Sequence, residues 1–277
     1  MPFEAPPDWG IQNPKLIEKT AIASVYRVSS RWGDGALKIF HNGNAKNEAF
    51  APVWLKTMAS PHVVPLFADT PGMVLMKWLP GPGLGDVSRE GQDGMATRTL
   101  AHVAAQLLSK PVTRPDFAPD LAQWVAPIFD CQRPDWMTEK QQKRVGDMQV
   151  LCREMLKSCT TPRLLHGDLH HDNIRYDGHN WVAIDPKGVW GDPAYETANA
   201  FRNPKGFEGL NQSDRIEHMV ACFSEALQIP AERIRAWAAI KCILSSVWAQ
   251  WDQDIGQTNF TVLEAILQGS DAPNLST

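Results

Sequence analysis

A short run rich in proline and glycine, residues 79–85 (LPGPGLG), divides the chain into two parts whose apolar residues repeat with different periods. Before this run, short apolar or β-branched stretches alternate with turn-forming residues, which is typical of strands: residues 21–28, 35–40, 63–68 and 73–78. After it, apolar residues recur at helical spacing around residues 100–108, 145–156, 216–227 and 237–251. The sequence therefore predicts an α+β protein with a small β-rich N-terminal lobe, residues 1–78, and a larger helical C-terminal lobe, residues 79–277, with a hinge at about residues 77–85.

Three local features make this prediction more specific. A helix is expected over residues 45–58, where Pro52 fits only in the first turn or at a kink. Ser213 is expected to be the N-cap of the helix that follows it. The last helical stretch is expected to carry Trp237, Trp248 and Trp251 on one stripe.

The composition disfavours several classes of protein. Because 27 Lys and Arg stand against 31 Asp and Glu, the net charge is −4 and no positive excess is available to bind nucleic-acid phosphates. No apolar run approaches the roughly 20 residues that cross a bilayer, and the N-terminal MPFEAP lacks the pattern of a signal peptide. The five cysteines are scattered and form no C-x-x-C pair, which disfavours a disulfide framework or a zinc ribbon. A cytoplasmic protein without nucleic-acid or membrane partners is expected.

The stretch most informative about chemistry is residues 164–174 (LLHGDLHHDNI), in a segment with the character of loops and strands. Asn173 follows Asp168 by five residues, and the apolar run at residues 181–184 leads to Asp185. Phosphoryl transfer needs one carboxylate to accept or orient the acceptor hydroxyl, and separate oxygen ligands to hold Mg²⁺ against the nucleotide phosphates. This pattern predicts Asp168 as the catalytic base and Asn173 and Asp185 as magnesium ligands.

The spacing His166-x-Asp168-x₄-Asn173, followed by Asp185, resembles the catalytic and metal-binding loops of the aminoglycoside phosphotransferases and eukaryotic-like kinases. The longer strings HGDLHHDNI and AIDPKGVWG look most like the streptomycin 6-kinase branch, also described as aminoglycoside/hydroxyurea resistance kinases. The resemblance implies a two-lobed protein-kinase-like fold that transfers the γ-phosphoryl group of ATP or GTP, with Mg²⁺, to a hydroxyl of a streptomycin-like acceptor. Kinases of other small metabolites, such as choline, homoserine or fructosamine-type substrates, stay open as alternatives, and the net charge suits a cationic acceptor.

The resemblance also implies a nucleotide site in the first lobe. Lys38 would reach the α- and β-phosphates, unless it is only an edge-strand lysine. Glu48 would hold Lys38 through an ion pair, unless it is a solvated helix carboxylate. The backbone of Met76 and Trp78 would face the edge of the base. Because the first hairpin lacks the G-x-G-x-x-G pattern of protein kinases, phosphate contact is expected from other backbone N–H groups or from Ser24.

Four residues are candidates for contact with the acceptor. His171 lies in the catalytic loop, where simple loop packing is the alternative. Asp192 lies in GDPAYE, which resembles a family segment after the metal-binding loop, and its alternative role is to anchor that loop by accepting backbone N–H groups. Trp251 and Asp252 would offer an aromatic face and a carboxylate to a cationic sugar, with core packing and a solvated helix end as alternatives.

Two functions from other classes also stay open. A catalytically silent nucleotide-binding module would be marked by the loss of Asp168, Asn173 or Asp185, and all three are present. A metal-dependent hydrolase would use the histidines and aspartates of residues 166–172. Gly167 and the loop character of this segment disfavour the helix that such a site needs, and the resemblance instead makes His166 a structural hydrogen-bonding residue.

Overall fold

The computed structural model describes residues 3–43 and 48–269, and these fall into two units. The first unit comprises the described residues up to Pro82 together with Arg175–Lys187. The second comprises Gly83–Ile174 together with the described residues from Gly188 onward. Because residues 175–187 return to the first unit, the chain passes between the units three times. The predicted division after residue 78 has only one such passage.

The first unit contains a five-stranded antiparallel sheet with the strand order β1-β2-β3-β5-β4. Its strands are β1 (Gln12–Lys19), β2 (Ala23–Ser30), β3 (Gly33–Phe40), β4 (Leu66–Thr70) and β5 (Met73–Lys77). Four of them overlap the predicted strands, with β4 beginning three residues later than expected. β1 was not predicted, because nearly all of its residues are exposed and it lacks the alternation that marks a half-buried strand.

The two faces of this sheet have different partners. Leu37 of β3 and Leu75 of β5 lie directly opposite each other and pack with Trp9 and Ile11 into a hydrophobic cluster. Since side chains alternate between the faces of a strand, the next residue, Lys38, points to the other face. The sheet therefore carries its buried lysine on the face opposite the hydrophobic cluster.

Helix α1 (Ala51–Thr57) begins later than predicted. Pro52 lies in its first turn, where the missing N–H costs no hydrogen bond. The predicted helix begins with residues 45–47, which lie outside the described residues. Glu48 lies before α1, at a residue of 3₁₀ character, and is therefore not part of that α-helix.

The second unit is built mainly of helices. They are α2 (Leu84–Val87), α3 (Asp93–Ser109), α4 (Leu121–Val125), α5 (Glu139–Ser158), α6 (Ser213–Leu227), α7 (Ala231–Trp248) and α8 (Gln253–Leu267). α7 is the central helix, because α5, α6 and α8 all pack against it and its residues 234–246 are all buried. Among the described residues, none of the helices has the length and apolar character needed to span a membrane.

Two predictions about helix ends were wrong. Gln212, in an extended conformation, is the N-cap of α6, so Ser213 is already its first helical residue. α7 ends at Trp248, and Trp251 follows in a turn with a φ of 58°. Trp251 therefore does not continue the helical stripe of Trp237 and Trp248.

Short strands and a 3₁₀ segment carry the chain between α5 and α6. β6 (Arg163–Leu165) pairs with β9 (Val189–Gly191), and β7 (Ile174–Tyr176) pairs with β8 (Trp181–Ala183). A 3₁₀ segment, Pro193–Arg202, follows β9. This architecture places the catalytic-loop motif between β6 and β7, and Asp185 just after β8.

Candidate active site

In the first unit, Lys38 lies between two carboxylates. Its Nζ is 2.5 Å from Glu48 Oε2 and 3.0 Å from Asp185 Oδ1. Burial alone would lower the pKa of the Lys38 ammonium, but the charges of Asp185 and Glu48 outweigh this, so that its pKa is raised. Lys38 is therefore a buried side chain that keeps its positive charge. The predicted ion pair with Glu48 is present even though Glu48 lies before α1.

A second lysine shares the same glutamate. Lys187 Nζ donates to Glu48 Oε1 at 2.8 Å, so that Glu48 bridges two lysines. Lys38, Glu48 and Lys187 are 7%, 6% and 9% exposed, and buried charges of this kind persist only when they are paired. Lys187 was not predicted, and its only signal in the sequence is its place two residues after Asp185.

A concave pocket in the first unit is lined in part by Lys38 and Asp185. Its lining also includes the apolar residues Val25, Ala36, Val64, Met76 and Ile184 and three further charged residues, Glu18, Lys77 and Arg175. Asp185 has a φ of 58°, a left-handed conformation that aspartate tolerates better than most residues, and its side chain is 35% exposed. An apolar cleft with a few convergent charges is the usual form of a small-molecule site.

The other predicted nucleotide contacts are placed less favourably. Met76 and Trp78 line the pocket, but the Trp78 N–H donates to the Asp34 carbonyl at 2.9 Å and so is not available to a base edge. Ser24 lies opposite Ile39 in the sheet, on the face away from Lys38, and its Oγ is 3.0 Å from His41 Nε2. The structure thus does not support a phosphate contact by the Ser24 hydroxyl.

In the second unit, the loop after β6 brings Asp168 and Asn173 together. Asn173 Nδ2 donates to the Asp168 carbonyl at 2.8 Å, which leaves Asn173 Oδ1 out of this bond. The Asp168 carboxylate accepts a hydrogen bond of 2.8 Å from Asn199 Nδ2. His166 is fully buried, and its Nδ1 accepts the Asp168 N–H at 3.3 Å, a structural contact of the expected kind. The loop therefore presents an oriented carboxylate beside an amide.

Magnesium prefers oxygen ligands from carboxylates and amides, usually with several waters. Asp185 has a partly exposed carboxylate, and Asn173 has an amide oxygen not used in its bond to Asp168. Each of these side chains thus has an oxygen of the kind that Mg²⁺ prefers. Within residues 3–43 and 48–269, no group of three or more His, Cys, Asp or Glu side chains is arranged to hold a metal ion.

Glu196 holds the backbone of the loop after β6, although it lies on the 3₁₀ segment that follows β9. Its two carboxylate oxygens accept the N–H groups of His166 at 2.9 Å and Gly167 at 3.1 Å. Glu196 is 1% exposed, and burial raises its pKa to about 7 despite these two hydrogen bonds. It was not predicted, although it lies in the GDPAYE segment that drew attention to Asp192.

Glu196 should make stability depend on pH. Its pKa in the folded state, about 7, lies above its ordinary value of 4.5. As pH rises between these values, the unfolded chain releases a proton that the folded protein retains, so the free energy of unfolding falls, by about 3 kcal/mol in total. Urea unfolding at pH 4.5 to 7.5 should show a shallower fall for Glu196→Gln than for wild type. Parallel curves would contradict this, and Glu225→Gln, at an exposed glutamate, is the matched control.

Two of the four acceptor candidates, Asp192 and Asp252, make structural hydrogen bonds. Asp192 is 2% exposed and accepts from Ala194 N, Trp237 Nε1 and Arg233, which favours its alternative role as an anchor. Asp252 is the N-cap of α8, since its Oδ1 accepts from Ile255 N at 3.0 Å. The remaining two are His171, which is fully buried, and Trp251, which is half-buried in a turn.

His171 is buried without a hydrogen bond to either ring nitrogen from the described part of the chain. Burial lowers its pKa to about 3, so its ring is neutral. An uncharged, enclosed imidazole is a packing residue in this conformation, as the alternative prediction had it.

Known proteins resemble both the sequence and the fold. Residues 8–253 match the family model described as aminoglycoside/hydroxyurea antibiotic resistance kinase. Streptomycin 3''-kinase of Klebsiella pneumoniae is 28% identical over 189 residues, which cover 66% of this chain and 68% of that protein.

Two solved structures share the fold. A choline/ethanolamine kinase family protein from Mesorhizobium loti has a TM-score of 0.71 at 13% identity, covering 94% of this chain and 90% of that one. A thermostable mutant of the aminoglycoside phosphotransferase APH(4)-Ia, in a ternary complex with ADP and hygromycin B, has a TM-score of 0.66 at 14% identity, covering 95% and 96%. These likenesses confirm the predicted kinase-like α+β fold.

Proposed function

Because the chain belongs to the aminoglycoside/hydroxyurea antibiotic resistance kinase family, a family of phosphotransferases, we propose that it transfers the γ-phosphoryl group of ATP to a hydroxyl group of a streptomycin-type acceptor. The observation that carries the proposal is the Asp168 carboxylate, held at 2.8 Å by Asn199 in a loop that also contains Asn173. A carboxylate fixed in this way can receive the proton of an acceptor hydroxyl as the new phosphate ester bond forms.

The pocket around Lys38 suits the phosphoryl donor. Its apolar residues would take the base of ATP, and the charged Lys38 in its lining would bind the α- and β-phosphates. Glu48 and Asp185 hold the Lys38 ammonium in place, so little reorganisation is needed when the phosphates arrive. A fixed cation of this kind favours the negative charge of the triphosphate.

Asn173 and Asp185 are proposed as the ligands of Mg²⁺ because their amide and carboxylate oxygens are of the kind that the ion prefers. When bound, Mg²⁺ would neutralise charge on the triphosphate. The chain's own contribution is to orient the acceptor hydroxyl through Asp168 and to bind the donor through Lys38. A cytoplasmic location, where ATP is available, belongs to the same proposal.

The acceptor is proposed to be cationic and streptomycin-like because streptomycin 3''-kinase is similar over 68% of its length and the net charge of this chain is −4. Hydroxyurea, named in the family description, is the next acceptor to consider. Amino alcohols and sugar derivatives complete the set, since a kinase of another small metabolite has the same site chemistry.

An ADP-release assay with streptomycin, hydroxyurea, choline and simple sugars tests the proposal. We expect release that depends on ATP, Mg²⁺ and one acceptor, with mass spectrometry showing one added phosphoryl group on streptomycin. Transfer to a different acceptor would overturn the choice of acceptor. Binding of ATP without transfer to any compound would instead favour the catalytically silent module.

A further inference from the structure

A chain of hydrogen bonds runs from the Asp168 carboxylate into the helices of the second unit. Asn199 Nδ2 donates to Asp168 Oδ1 at 2.8 Å, and Arg202 Nη1 donates to Asn199 Oδ1 at 3.1 Å. Arg202 Nε in turn donates to Asn259 Oδ1, on α8, at 3.0 Å. Asn199 thus lies between a carboxylate and a guanidinium, with one end of its amide bonded to each.

The chemistry of its two partners fixes the orientation of this amide. A carboxylate only accepts hydrogen bonds and a guanidinium only donates them, so the Asn199 NH₂ group must face Asp168 and its oxygen must face Arg202. Asn199 is 7% exposed, which keeps water from replacing either contact freely. The side chain is therefore held in a single orientation toward Asp168.

Asn199 also lies on the element that holds the loop backbone. The 3₁₀ segment Pro193–Arg202 supplies Glu196, which accepts the N–H groups of His166 and Gly167. Asp192 anchors the start of this segment by accepting the Ala194 N–H at 3.0 Å. One anchored segment thus fixes both the backbone before Asp168 and its carboxylate.

Arg202 places a guanidinium beside the amide oxygen of Asn199. Burial lowers the pKa of its guanidinium, although the charge of Asp168 is among the influences that raise it. Its hydrogen bonds to Asn199 and Asn259 hold the guanidinium in position. A cation on one side of the amide and an anion on the other polarise it in the same direction, which strengthens the hydrogen bond to Asp168.

We propose that Asn199, held by Arg202, is a positioning residue that sets the direction in which the Asp168 carboxylate meets the acceptor hydroxyl. This inference rests on the proposed function, since it concerns the same proton transfer. This assignment gives Asn199 no part in binding ATP. Its loss should therefore lower kcat and leave the KM for ATP unchanged.

Replacing Asn199 by alanine tests the assignment. We expect kcat to fall about 10–100-fold, because the Asp168 carboxylate would no longer be held in the correct position relative to the acceptor hydroxyl. The same substitution at Asn180, in the turn between β7 and β8, is the matched control and should turn over like wild type. Melting curves establish that both variants are folded.

The variant is also made in an Asp168→Asn background, to separate positioning from a general structural role. If Asn199 acts through the Asp168 carboxylate, Asn199→Ala should lower kcat no further once that carboxylate is absent. An equal loss in both backgrounds, or a raised KM for ATP with kcat unchanged, would overturn the assignment.

Failure of the proposed function has a different signature. A wild-type protein that transfers phosphate to no acceptor would overturn the proposed function and this assignment with it. An active wild type matched by a folded, equally fast Asn199→Ala variant would overturn only the assignment.

Discussion

Replacing Asp168 by asparagine is expected to lower kcat by about 10²–10⁴-fold while leaving the KM for ATP unchanged. Asparagine has the shape of aspartate and keeps an oxygen that can accept the Asn199 hydrogen bond, so the loop should retain its conformation. It has no basic oxygen to receive the proton of the acceptor hydroxyl. The loss is therefore one of chemistry, and steady-state kinetics with varied ATP and varied acceptor separates it from a loss of binding.

Asp172 provides the matched control for this variant. It lies in the same loop, with Oδ1 bonded to Arg89 at 2.9 Å and Oδ2 accepting from Lys205 N at 3.2 Å. Asp172→Asn makes the same chemical change four residues away and should leave most of the turnover intact. If Asp168→Asn were as fast as wild type, another group would have to accept the proton.

The proximity of Asp168 and Asn173 could be predicted from the sequence because the two residues are close together along the chain. The two residues are five positions apart, and a single turn joins the Asn173 amide to the Asp168 carbonyl. The strands of the first unit were also predictable, since their apolar runs and turn residues are local signals. β1 was missed because its exposed residues show no such pattern.

The partners that hold these groups in place were not predictable in the same way. Glu196 reaches His166 across 30 positions, and Lys187 reaches Glu48 across 139. No periodicity or short motif records a pairing of that kind, because it depends on how distant elements meet in the fold. The sequence shows only that a buried charge will need a partner, and not which residue supplies it.

Ser24 illustrates a third kind of limit. It was assigned to the right strand, but neighbouring residues of a strand face opposite sides, so an error of one residue reverses the face. Val25 lies opposite Lys38, and Ser24 lies opposite Ile39. The face that carried Lys38 could be fixed only once the register of β2 and β3 was known.

Replacing Lys38 by methionine is expected to lower kcat/KM for ATP by about 10²–10³-fold, the usual cost of removing one preorganised charge from a phosphoryl-transfer site. Methionine keeps much of the length and apolar volume of the lysine stem. Glu48 keeps its ion pair with Lys187 at 2.8 Å, so the substitution does not leave that buried carboxylate without a partner. The pocket should therefore survive the change, and a melting curve close to that of wild type would establish this.

Lys56→Met supplies the control for the lost charge, because Lys56 is an exposed lysine of the same unit. Lys56 lies on α1 and forms an ion pair of 2.6 Å with Asp69 on β4. This variant should behave as wild type, since exposed ion pairs contribute little. The KM for the acceptor should be unchanged in Lys38→Met, because the proposed role of Lys38 is confined to the phosphates of the donor. A folded Lys38→Met variant with wild-type kcat/KM for ATP would contradict the assignment, and a rise in the acceptor KM alone would move Lys38 from the donor site to the acceptor site.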